Sequence, residues 1–138
     1  MKNLDTGEYA LSKVGDAYVR LVIYTDQELT TKEIPLVLGY FKQFEGPVPL
    51  LVDRQGRYAL STGVQLAIIE HAKSLFSALA ILDYTPLQRR ITQIASITYL
   101  KDLPVKSFPD ITQAEIWLKR YGPLPDFHPK TDLSNRNG

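Results

Sequence analysis

"LLVDRQGRYALSTGVQLAII", residues 50–69, is the stretch on which the fold turns. It begins with an unbroken apolar run, Leu50-Leu51-Val52, and meets Asp53 and a glycine-containing loop. It then reaches Ser61-Thr62-Gly63 and a second apolar series. A short apolar run bounded by turn residues reads as a strand covered on both faces. Such strands between helices are what a parallel sheet requires. The hydroxyl pair before Gly63 reads as a helix start, because a Ser or Thr oxygen accepts a bond from an otherwise unpaired amide of the first turn.

The same pattern repeats on either side. "SALAILDY" (77–84) is a second apolar strand, followed by "TPLQRRITQIASITYL" (85–100), and "VKSF" (105–108) by "DITQAEIWLKRY" (110–121). Upstream, "EYALSKV" and "YVRLVIYT" flank Gly15-Asp16, a dipeptide suited to a tight turn between two strands. In the second of these, Val19, Leu21 and Ile23 share a core-facing side, while Tyr18, Arg20 and Tyr24 share a part-exposed one. Between the hairpin and the opening stretch, "TTKEIPLVLGYFKQF" places Ile34, Leu38 and Phe41 at helical spacing, with Pro35 in a first turn.

The helix at 62–76 is expected to turn Leu66, Ile69, Ala72 and Phe76 inward. The helix at 85–100 is expected to turn in Leu87, Ile91, Ile94 and Thr98, and the last helix Ala114, Trp117, Leu118 and Tyr121. Thr30/Glu33, Thr62/Gln65, Thr85/Gln88 and Asp110/Gln113 each have the spacing of a capping box. The order is therefore β-β-α-β-α-β-α-β-α: a single α/β domain over 1–122 with a mixed, mostly parallel sheet. The segment 123–138, rich in Pro, Asn and charge, is expected to be a mobile C-terminal tail or one laid loosely on the surface.

Composition narrows the function. The chain has 138 residues, 44% of them hydrophobic, which is enough for one unstapled core. A net charge of +1 gives no electrostatic reason to expect nucleic acid. Cysteine is absent, and the start "MKNLDTGEYALSKV" has no apolar signal segment. No run is long enough to span a membrane. A cytoplasmic protein without an integral membrane segment is expected.

The element order and several motifs resemble the STAS domain. The opening stretch is similar to the segment of anti-sigma-factor antagonists in which a strand leads through a short loop to Asp-Ser-Ser-Gly. The spacing from Val52-Asp53 to Ser61-Thr62-Gly63 agrees without gaps. "LAILDYTPLQRR" and "PVKSFPDITQAEIWL" resemble the later elements of an uncharacterised group of bacterial STAS-like proteins. The likeness spans roughly residues 8 to 121. It implies a regulatory, protein-binding module in which a kinase-like partner phosphorylates the position matched by Thr62. Leu60 stands where the antagonists carry their acidic residue.

Three readings follow. The first is a non-enzymatic protein-interaction module, with Ser61 and Thr62 as the candidate phosphorylation or partner site. The second is a small-molecule or lipid-binding domain, with a pocket of roughly 300 Å³ or more between sheet and helices. In this setting Asp53, Asp83, Thr85 and Arg89 are candidates for a ligand or anion site at the strand ends. The third is a homodimer paired through the "EYALSKV" edge. No enzyme is expected: there is no nucleophile elbow, Walker loop or G-x-G-x-x-G. Two histidines, His71 and His128, without cysteine predict no metal site and no cofactor.

Overall fold

The computed structural model describes residues 3–128. Strands β1 (Leu4–Asp5), β2 (Tyr9–Val14) and β3 (Tyr18–Ile23) form an antiparallel meander. The turn between β2 and β3 is made by Gly15, whose φ of +54° lies in the left-handed region that glycine enters without penalty. After the two-residue β4 (Glu28–Leu29) come α1 (Ile34–Phe41), β5 (Val48–Arg54), β6 (Ala59–Leu60) and α2 (Thr62–Leu75). The chain continues through β7 (Phe76–Leu82), α3 (Pro86–Ile97), β8 (Val105–Phe108) and α4 (Ile111–Leu118). The expected order holds, with β1, β4 and β6 as two-residue additions.

The main sheet has six strands in the order β1-β2-β3-β5-β7-β8, and β3, β5, β7 and β8 run parallel. β4 and β6 pair separately, in parallel. Because neighbouring strand residues point to opposite faces, each strand feeds two layers. Leu11, Val19, Leu50 and Leu79 meet Tyr40, Phe41, Ala72 and Ala95 of α1–α3 on one face. Tyr18, Leu51, Ala80 and Leu82 meet Ala114 and Leu118 of α4 on the other. Consequently β3 is covered on both sides, with Tyr18 and Val22 buried as well as Val19 and Ile23. Of the side expected to be part-exposed, Tyr18 is instead buried against α4, while Arg20 is half-buried and Tyr24 exposed.

Two helices present a different face from the one their apolar spacing suggests. In α2, Ala72 is buried while Leu66 and Ile69 are exposed. In α3, Thr92 and Ala95 are buried, whereas Leu87, Ile91 and Ile94 are exposed. The last helix behaves as expected, with Ala114 and Leu118 buried and Trp117 packed between Phe108 and Tyr121.

The chain after α4 does not leave the domain at residue 123. The Leu124 amide bonds Asp16, and Phe127 pairs with Phe44 in an antiparallel bridge, their rings 4.7 Å apart. Residues 123–128 are therefore laid against the body, where Phe127 joins an aromatic cluster. The remainder of the expected tail, 129–138, lies outside the described residues. The β2 edge proposed for self-association is itself covered at Ala10 and Leu11 by β1.

Candidate functional site

The sheet separates two carboxylates that the sequence places together. Asp53 turns to the α4 side, where it is 2% exposed. It accepts hydrogen bonds from Arg20 Nη2 at 2.9 Å, the Tyr84 hydroxyl at 2.6 Å and Gln55 Nε2 at 3.1 Å. Burial pushes its carboxyl up, but the bonds from Tyr84, Arg20 and Gln55 and the Arg20 charge outweigh this. They hold it below the usual carboxylate range.

Asp83 is also fully buried and belongs to a different network. Thr92 Oγ1 donates to its Oδ2 at 2.6 Å, Arg54 Nη2 donates to the same hydroxyl at 3.2 Å, and Arg54 Nε lies 3.7 Å from Oδ1. Thr85 caps α3, and Arg89 is exposed. The four residues read as one anion site are thus split by the sheet: each aspartate has its own arginine, and Arg89 joins neither.

The caps are also redistributed. Thr85 and Asp110 accept from the amides of Gln88 and Gln113, as their spacing predicts. At α2 the cap is Ser61, which accepts from the Val64 amide at 3.3 Å. Thr62 is already the first helical residue, and it is exposed. Gln65 follows the shift and donates to the Leu60 carbonyl. At α1 there is no side-chain cap at all. Thr30 makes none, and Glu33 is turned inward, 9% exposed, towards Tyr9.

Glu33 lines an apolar cavity of about 260 Å³ between the sheet and α1–α3. Leu21, Ile23, Leu50, Val52, Leu79 and Ile81 form its floor, and Val37 and Phe41 one wall. Val64, Ala67, Ile68 and His71 of α2 and Ile91, Thr92 and Ala95 of α3 form the rest. Its polar groups are few: Tyr9, Glu33, Arg54, Tyr58, His71, Thr92 and Tyr99. Burial raises the Tyr58 phenol, against the pull of the Arg54 charge and with that of Asp83.

The cavity opens to solvent. α2 and α3 make few contacts with each other, and Ile91 and Tyr99 both line the cavity and are exposed. In a right-handed βαβ array, the flank of α3 carrying Leu87, Ile91 and Ile94 looks towards α2, and the Ile69 flank of α2 looks back. Of these exposed apolar residues Ile91 borders the cavity. The sequence leads to the expectation of a pocket between sheet and helices but singles out none of these residues for it, because the lining comes from many elements and no local spacing links them.

One further cluster emerges from the Phe44–Phe127 bridge. It places ligand atoms of Glu45, Asp126 and His128 within 4.8 Å of one another, all three residues being exposed. His128 Nε2 contacts Glu45 Oε2 at the surface.

A scan against protein-family models and a search of curated proteins give no match. A search of solved structures finds an uncharacterized protein of the DUF3478 family from Shewanella loihica PV-4, described as having a SpoIIAA-like fold. The TM-score is 0.58 and the identity 20%, covering 85% of this chain and 94% of that one. No helix among the described residues is long and apolar enough to cross a membrane. The sheet order, the helix layers and this likeness together establish that the chain has a SpoIIAA-like, that is STAS-like, α/β fold.

Proposed function

We propose that this domain is non-enzymatic and binds a small apolar molecule in the cavity between its sheet and α1–α3. The observation that carries this reading is the cavity itself, apolar on nearly every wall and open to solvent. Natural cores pack to crystal-like density, and a void of this kind forfeits contacts on all of its lining. Its volume of about 260 Å³ falls slightly under the roughly 300 Å³ at which small-molecule pockets usually begin. A small separation of α2 from α3 would enlarge it.

The test is binding of the neutral fluorophore N-phenyl-1-naphthylamine. The wild-type chain is expected to give saturable enhancement at micromolar probe. Ala67→Phe, which fills the cavity from α2, should abolish the enhancement while leaving the circular dichroism unchanged. Equal enhancement by both proteins, or none by the wild type, would overturn the reading.

Thr62 supports a second reading, a regulatory partner site. Its hydroxyl is exposed and is not needed for the cap, which Ser61 supplies. A phosphate there would sit at the positive end of α2, where the fold tolerates it and a partner would meet its charge. Intact mass measurement of protein from its native host is expected to show a population heavier by one phosphate, lost in Thr62→Ala. An unmodified mass under all growth conditions tested removes the idea.

A further inference from the structure

We infer that the cavity selects an apolar molecule bearing a cationic amine, with Glu33 as the counter-ion; this rests on the cavity being a ligand site. Glu33 is 9% exposed and lines the cavity. Its carboxylate receives a single hydrogen bond among the described residues, from the Tyr9 hydroxyl at a long 3.4 Å. No Lys, Arg or His of the described residues lies within ion-pair distance of it. A buried carboxylate without a cation is costly, and natural proteins rarely leave one so.

The local sequence offered Glu33 an easier place. Its spacing from Thr30 suits a capping box at the helix start, with the side chain in solvent. The structure forgoes that bond and directs the carboxylate into an apolar chamber. Positions where a local rule is broken without a compensating contact inside the protein are where ligand contacts are to be sought.

The other charge on the wall does not compete. The Arg54 guanidinium is 3.7 Å from Asp83, which is fully buried, and it also donates to Thr92. An anionic ligand would find that cation already paired and would meet Glu33 as a like charge. An ammonium would find an unpaired carboxylate in a low-dielectric setting, where the attraction is strongest. A neutral ligand gains neither.

The experiment is displacement of N-phenyl-1-naphthylamine by three ligands of equal chain length, decylamine, 1-decanol and decanoate, at neutral pH. Decylamine is expected to bind at least tenfold more tightly than 1-decanol, with decanoate weakest. Glu33→Gln should bring decylamine to the level of 1-decanol and leave 1-decanol unchanged. Tyr9→Phe removes the one donor to the Glu33 carboxylate among the described residues and should strengthen the amine preference; it serves if Glu33→Gln folds poorly. Equal binding of amine and alcohol, tighter binding of decanoate, or a preference that survives Glu33→Gln overturns the inference while leaving the cavity reading intact. Displacement by none of the three overturns both.

Discussion

At the scale of single residues, the ionisable groups show how the interior tolerates charge. Asp53 is held below its ordinary value of 3.8 by Tyr84, Arg20 and Gln55 against the effect of burial. The unfolded chain takes up this proton first as pH falls, so the stability contributed by Asp53 is complete above the ordinary value. It is lost as pH drops through the lower, folded value. Tyrosines set the alkaline limit. Burial pushes Tyr9, Tyr40 and Tyr84 up to about 12 from 10.0, aided by Glu33 at Tyr9 and by Asp53 at Tyr84. The folded chain then keeps protons that the unfolded chain releases, and stability falls between about pH 10 and 12. Urea midpoints against pH should show a plateau with both shoulders. Asp53→Asn should flatten the acid shoulder without moving the onset of the alkaline one.

At the scale of elements, strands were more legible than helix faces. Residues 105–108 form β8 as the alternation of "VKSF" suggests, and the final helix buries Ala114 and Leu118 as its spacing requires. For α2 and α3 the bulky residues gave a clear stripe, and that stripe is exposed: Leu66 60%, Leu87 70% and Ile94 49%. Hydrophobic spacing identifies an apolar flank but not whether another element lies against it. Here Ala72 and Ala95 face the sheet, where there is room for small side chains, and the large residues lie on the solvent side. Substitutions should respect that arrangement. Leu66→Ser and Ile94→Ser are expected to change stability by less than about 0.5 kcal/mol. Ala95→Asp, which buries an unpaired charge, is expected to cost about 3 kcal/mol or more in chemical denaturation. A large loss from Ile94→Ser would show that this flank is covered in solution.

At the scale of the whole molecule, the sequence by itself determined the element order, the two apolar central strands, and the helix starts at Thr85 and Asp110. These depend on neighbours a few residues apart, through alternation, hydroxyl caps and turn residues, and such signals survive in one dimension. Only the tertiary structure decided that Asp53 and Asp83 face opposite sides of the sheet, each with its own arginine. It also moved the α2 cap to Ser61 and turned Glu33 away from Thr30. It alone assembled the cavity, whose lining runs from Tyr9 to Leu100. The physical reason is the same in each case. Which face of a strand or helix is covered, and which charge meets which, depends on how the layers stack, and residues distant in sequence have no local pattern by which to announce that they meet.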